Sequence, residues 1–327
     1  ITLLIVWVGA HQIQNSSMQV GDMLAFMQYA IQIIFSFLML SMLFIMIPRA
    51  SVSAGRIAEV IRTEPSIKDP QRPKKFDENQ KGCVEFKNVS FKYPGADEYV
   101  LRNINFKVMP GQTVGIIGRT GSGKSTLVNL ILRFYDATEG QVLVDGVDVR
   151  EVKQEDLRAK IGYAPQKSWL FSGTIKSNLL YGKEYATDDE IKEATEIAQA
   201  MEFINEKSKK FDSEISQGGT NVSGGQKQRL SIARALIKSP EIYIFDESFS
   251  ALDFRTELAL RKALKERLKS STVIMVSQRV STLVNADQII VLEDGEIVGI
   301  GKHKDLLKNC QTYRDIALSQ LPEEELA

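Results

Sequence analysis

Nine consecutive residues, Gly118-Arg119-Thr120-Gly121-Ser122-Gly123-Lys124-Ser125-Thr126, set three glycines before a lysine and two hydroxyl residues in the spacing G-x-x-x-x-G-K-[ST]. Glycines let successive backbone N–H groups turn inward around an anion, and a helix starting near Lys124 would aim its positive end at the same point. A lysine there offsets the outer phosphates of a nucleoside triphosphate, and Ser125 offers a hydroxyl to Mg²⁺. The flanks fit: Thr113 to Ile117 reads as a buried strand and Leu127 to Tyr135 as a helix. A Gly/Ser surface turn explains the glycines, but not Lys-Ser-Thr entering a helix straight after a strand.

Three further groups could complete such a site. Val222-Ser223-Gly224-Gly225-Gln226 opens a second helix. Ser223 with Gln226 is a capping box, which alone explains both residues. Two glycines weaken a first helical turn, and they make sense if a phosphate must approach the exposed N–H groups. The apolar strand Ile242 to Phe245 ends in Asp246-Glu247. A carboxylate at that point can hold Mg²⁺, and the next one can polarise an attacking water. Ser250-Ala251-Leu252-Asp253 follows, and then a strand ending at Ser277-Gln278-Arg279.

The elements that position these groups come from hydrophobic patterning. Alternation at Val84-Glu85-Phe86 and on to Phe91-Lys92-Tyr93 predicts sheet ended by Pro94-Gly95. Buried strands are expected at Val273 to Val276 and at Ile289 to Leu292, the latter turning at Asp294-Gly295 into Glu296-Ile297-Val298. Helices are expected over Asp188 to Ile204, Gly224 to Lys238 and Thr256 to Lys269. Residues 81–321 therefore read as one α/β nucleotide-binding domain, followed by an acidic tail at 322–327.

The first 48 residues differ in kind, with Asp22 their one charged residue. Met23 to Ile47 is uncharged and, at about 1.5 Å per residue, about 37 Å long as a helix, enough to cross a hydrocarbon core of about 30 Å. Its Leu, Ile and Phe residues favour insertion by about 4–8 kcal/mol, before the cost of Gln28 and Gln32. Residues 1–9 read as the tail of another membrane helix, 10–22 as an outer loop and 23–47 as a membrane span. Arg49, Arg56 and Arg62 follow the span, so everything after Pro48 is expected in the cytoplasm. Gln28, Gln32 and Ser36 share one stripe of that helix, suited either to a substrate path or to hydrogen bonding between helices. Residues 49–80 read as a cytoplasmic helical extension and a Pro-rich linker. The 41 basic and 41 acidic residues cancel, so no nucleic-acid partner is expected. Cys83 and Cys310 fit no metal-ligand spacing. Beginning inside an apolar run, the chain reads as the C-terminal part of a longer protein.

The ordered set of phosphate loop, Ser-Gly-Gly-Gln and Asp-Glu resembles the ATP-binding cassette (ABC) family, and with the preceding helices an exporter-type half-transporter. The resemblance implies a P-loop NTPase fold of ABC type preceded by transmembrane α-helices, with ATP and Mg²⁺ as cofactors. It further implies that Tyr93 stacks on adenine and that Gln166, in Ala164-Pro165-Gln166, touches Mg²⁺ and the attacking water. Such domains resemble head-to-tail dimers, each ATP lying between one phosphate loop and the other subunit's Ser-Gly-Gly-Gln helix, with Asp253 in the loop that crosses over. Implied partners are a second half-transporter, membrane lipid, and an exported drug, lipid or peptide; the implied place is the inner (plasma) membrane. The pattern departs at Gln278, where the family carries a histidine, and at Gln217, where such exporters often carry a glutamate. Gln278 can donate a hydrogen bond but cannot titrate near pH 7. The departure resembles the altered-site subunit of a heterodimeric exporter, although Glu247 is retained. The competing expectation is a membrane-tethered ATP-binding regulator with little turnover.

Overall fold

The computed structural model describes residues 1–320, and the chain divides into two compact units, Ile1–Ser66 and a second that begins at Ile67. The acidic tail at 322–327 lies outside the described residues. In the first unit, α1 (Thr2–Gln14) and α2 (Val20–Arg62) are joined by five residues, not by a loop over 10–22. The polar ends explain the difference. His11 Nδ1 bonds Trp7 O at 3.1 Å inside α1, and Asp22 accepts the Gln19 N–H at 3.1 Å, closing a capping box at the start of α2. Pro48 does not end α2, which runs on to Arg62 as one helix of 43 residues. Its most apolar 18-residue window has a mean hydropathy of 2.5, and by length and composition it can cross a membrane. Ser36 and Ser41 return their hydroxyls to Gln32 O and Phe37 O, so both are satisfied within the helix.

In the second unit β1 (Val84–Phe91) pairs antiparallel with β2 (Leu101–Val108) and with β4 (Glu139–Val144), which meets the short β5 (Val147–Asp148). The larger sheet has the order β12-β11-β3-β10-β9-β6, where β3 is Thr113–Gly118, β6 Ile161–Ala164, β9 Ile242–Asp246, β10 Thr272–Val276, β11 Gln288–Glu293 and β12 Glu296–Gly301. All its pairings are parallel except the β11–β12 hairpin. Burial on both faces accounts for the unbroken apolar runs of β3, β9 and β11. A ribbon of β7 (Gly173–Thr174) and β8 (Glu214–Ile215) stands apart.

Helices cover the sheets: α3 (Lys124–Ile131), α4 (Gln154–Ala159), α5 (Ile175–Leu180), α6 (Asp188–Ile197), α7 (Met201–Glu206), α8 (Gly224–Ile237), α9 (Phe254–Arg267), α10 (Val280–Leu283), α11 (His303–Asn309) and α12 (Gln311–Leu318). The single helix expected over Asp188 to Ile204 is two, because Gln199 takes a left-handed φ of 55° and its carbonyl is claimed by Arg229 Nη1 at 2.7 Å. The hydrophobic period runs through this break.

The Pro-rich segment before β1 is bound to the second unit. Lys68 O accepts from Arg133 Nη2, Asp69 accepts from the Gln154 N–H, and Lys74 N–H donates to Glu151 O. Beneath it, Lys160 pairs with the fully buried Asp145 at 2.8 Å and with Glu241 at 2.6 Å, and its ammonium lies 4.9 Å from the centre of the Phe76 ring. Removing one member of such a cluster strands a buried charge, at a cost of about 3 kcal/mol. Lys160→Met is therefore expected to lower the melting temperature by at least about 5 °C, measured by calorimetry on the chain. An unchanged transition would mean the cluster does not hold this segment.

Candidate functional site

Parallel pairing sets the site, because β3, β10, β9 and β6 are neighbours running the same way and their C-terminal ends lie along one edge. Val276 is registered with Ile116 and with Asp246, and Ala164 with Phe245. Open parallel sheets bind ligands at that edge. The phosphate loop leaves β3, Gln166 follows β6, Glu247 follows β9 and Gln278 follows β10.

The loop has the shape of an anion cradle. Gly121 and Gly123 hold φ of 86° and 98°, a left-handed backbone that favours glycine, and Gly123 leads directly into α3. Lys124 is buried, and its ammonium donates to Gly118 O at 2.9 Å and Arg119 O at 3.0 Å, closing the loop on itself. Desolvation pushes its pKa down, against the pull of Glu247 and Asp246. Ser122 Oγ is buried beside the loop with no hydrogen-bond partner. A cradle with an orphaned hydroxyl and a lysine turned onto carbonyls suits a polyanion. Thr126 Oγ1 lies 3.0 Å from Tyr93 OH, and Tyr93 meets Phe91 and Tyr135 edge-on, with centroids 4.9 and 5.1 Å away. Arg119 and Thr120 form the outer rim of the loop.

Ser125 Oγ donates to Asp246 Oδ1 at 3.2 Å, and Asp246 is 3 % exposed. Burial pushes this carboxyl above its ordinary range and neighbouring Glu247 adds to the shift, while the Ser125 bond and Lys124 oppose it. Hard oxygen donors around an under-compensated buried carboxylate fit a divalent cation of the Mg²⁺ kind.

Glu247 has a left-handed φ of 46°, and its N–H bonds Val276 O at 2.9 Å. Gln278 Nε2 donates to its Oε1 at 2.8 Å, and Gln166 Nε2 donates to its Oε2 at 2.8 Å. Two neutral amides therefore grip the carboxylate, one per oxygen. A cavity of about 210 Å³ is lined by Gly121, Lys124, Ser125, Gln166, Glu247 and Gln278 among others.

Ser223, Gly224, Gly225 and Gln226 do not line that cavity. Ser223 and Gln226 form the reciprocal capping box, at 3.2 and 3.1 Å. Gly225 has a reason inside the chain as well: a Cβ there would stand 3.0 Å from Ala251 O, whereas one on Gly224 would meet only an ordinary contact. Two residues that sequence reading missed tie this helix to the site. Gln228, buried on α8, bonds Ser250 Oγ at 3.1 Å and accepts the Ala251 N–H at 2.9 Å. Arg279 pairs with buried Glu257 at 2.9 Å and reaches Ser250 O at 3.3 Å. A polar residue on the buried face of α8 was the available signal for Gln228.

Comparison with known proteins decides the family. Residues 101–250 match the family model described as ABC transporter. The chain belongs to the ABC transporter family. It is 45 % identical over 322 residues to an uncharacterised ABC transporter ATP-binding protein of Mycobacterium bovis, covering 98 % of this chain and 55 % of that one. It is 44 % identical over 252 residues to an ATP-dependent lipid A-core flippase of Escherichia coli, covering 77 % and 43 %. A solved bacterial Atm1-family ABC exporter with ATP bound superimposes with a TM-score of 0.82 at 35 % identity, covering 93 % of this chain and 53 % of that chain. The ABC transporter chain thus spans about half the length of these relatives, and its α/β unit is an ATP-binding domain.

The raised Asp246 pKa has a thermodynamic consequence. The nucleotide-free fold binds this proton more readily than the unfolded chain, so stability falls as pH rises from the ordinary aspartate value through the folded one. Above the ordinary aspartate value this group therefore opposes folding. Asp246→Asn is expected to raise the nucleotide-free melting temperature by about 2–4 °C, the shift that about 1 kcal/mol produces. The same variant should lose the extra stabilisation given by ATP with Mg²⁺. A lower nucleotide-free melting point would contradict this reading.

Proposed function

We propose that this chain is the ATP-binding and hydrolysing subunit of an ABC exporter, coupling ATP-driven closure with a second half-transporter to outward movement of a drug, lipid or peptide. The observation that carries the reading is the grip of Gln278 and Gln166 on Glu247 beside an anion cradle. Lys124 and the loop amides bind the phosphates, Tyr93 supplies an aromatic face for adenine, and Ser125, Asp246 and Gln166 hold Mg²⁺. When bound, the metal neutralises charge that develops on the phosphates. Glu247 orients and polarises the attacking water, and Gln278 keeps that carboxylate in place.

The bond from Gln278 is neutral. It fixes geometry but adds no charge near the γ-phosphate, and loss of one well-aimed transition-state donor costs about 10²–10³ in rate. This supports a slow site at this chain's own phosphate loop, with the Ser223 to Gln226 turn serving the partner's site in a heterodimer. Gln228 and the 250–253 segment are the route by which that turn senses this chain's own site. Helix α2, whose apolar part is followed by Arg49, Arg56 and Arg62 in its last turns, supports insertion in the inner membrane with the α/β unit in the cytoplasm. A regulator that closes on ATP with little turnover draws on the same Gln278.

Substitution of the carboxylate separates these readings. In the assembled pair, Glu247→Gln is expected to change total ATPase by less than about twofold, because catalytic groups acting as a unit are non-additive. The matching change in the partner should remove most turnover. Loss of all ATPase and transport on Glu247→Gln alone would show that Gln278 works as a full substitute for histidine.

A further inference from the structure

The backbone that carries Gln278 is held from two sides. On the α9 side Arg279 pairs with Glu257, and Ser277 Oγ accepts the Arg279 N–H at 3.0 Å. On the other side stands a residue to which no role has been attached. Gln320, just past α12, donates from Nε2 to Gln278 O at 2.7 Å and accepts the Val280 N–H on Oε1 at 2.8 Å. One side-chain amide thus brackets Arg279, meeting the backbone on both sides as a neighbouring strand would.

The bracket meets a local need. Val280 is the first residue of α10, so its N–H has no partner within that helix, and the N-cap residue Arg279 makes no side-chain capping bond. Gln320 supplies the cap from forty residues away in sequence. Its own position is fixed by α12, whose Tyr313 and Ala317 are fully buried against Val280, Leu283 and Ile117. Tyr313 OH lies 2.7 Å from His303 Nδ1, which pins α12 to α11. An unbroken set of contacts therefore runs from the buried face of α12 through Gln320 to the Gln278 backbone, and through the Gln278 amide to Glu247 Oε1.

We propose that Gln320 is a positioning residue for ATP hydrolysis: its amide sets where the Gln278 backbone stands, and through it the orientation of the Glu247 carboxylate. This rests on the reading that Glu247 assists hydrolysis. Both bonds of the Gln320 amide go to backbone on either side of Arg279, so its effect is expected on turnover more than on ATP affinity. The C-terminal end of the domain thereby bears on the site from outside the cavity.

The experiment uses the assembled transporter with Gln320→Met, which keeps length and apolar stem, and Gln320→Glu, which keeps the acceptor for Val280 N–H but loses the donor to Gln278 O. Own-site ADP formation is followed by site-resolved nucleotide trapping, ATP affinity by titration, and exchange of the Val280 amide by hydrogen–deuterium exchange. In both variants own-site turnover is expected to fall about three- to tenfold, the effect of one or two ordinary hydrogen bonds, with ATP affinity within about twofold. Exchange at Val280 should accelerate in Gln320→Met and stay near the unmodified rate in Gln320→Glu. Unchanged Val280 exchange in Gln320→Met, full turnover in Gln320→Glu, or a parallel fall of affinity and melting temperature overturns the proposal. Absence of own-site turnover in the unmodified protein refutes the hydrolytic reading instead, and Val280 exchange then decides whether the bracket exists.

Discussion

Four parallel strands ending at one level govern the rest of this domain. The pairing of β10 with both β3 and β9, and of β9 with β6, is fixed by backbone hydrogen bonds under an apolar cover on both faces. A register slip of one residue would exchange the side chains facing the two apolar covers and carry Asp246 and Val276 out of alignment. With the register held, the phosphate loop, Gln166, Asp246, Glu247 and Gln278 converge without any two being near neighbours in sequence, Asp246 and Glu247 excepted. The left-handed backbone at Glu247 is part of the same constraint, since its N–H stays on Val276 O while its side chain turns to the cavity.

The arrangement around Glu247 separates geometry from charge. Two amides hold the carboxylate, one per oxygen, yet neither can take up or release a proton near pH 7. Lys124 and Asp246 show the opposite economy: both are buried, both are under-compensated, and each has its pKa moved toward the neutral form. A triphosphate and a divalent cation are the partners that would relieve them. Strain of this kind is tolerated where function requires it.

Local features were legible in the sequence and distant ones were not. The phosphate loop could be read because its chemistry sits in nine consecutive residues between a strand and a helix. The strands at Ile242, Val273 and Ile289 were legible from apolar runs of strand length. The break at Gln199 was hidden, since a left-handed glutamine leaves the hydrophobic period intact and the cause is Arg229, far along the chain. The ends of α1 and α2 were misplaced because capping by Asp22 lets a helix begin inside what looks like loop. For Gly225, sequence suggested only an approaching phosphate, whereas packing on Ala251 O is a further reason. The departure at Gln278 was visible as a residue type, but its bond to Glu247 was not, because it depends on the register of β9 with β10.

The central claim is that position 278 controls the own site through a donor that carries no titratable charge. Its most direct measurement is the pH dependence of own-site ATP turnover in the unmodified transporter and in Gln278→His. A histidine has an ordinary pKa of about 6.5, whereas the glutamine has nothing to titrate there. Dividing one profile by the other removes the ionisations of ATP and of the shared residues. The account predicts a ratio that changes with pH through a single step near 6.5. A ratio that stays flat from pH 5.5 to 8, a range over which an ordinary histidine goes from about nine-tenths charged to almost wholly neutral, would contradict it.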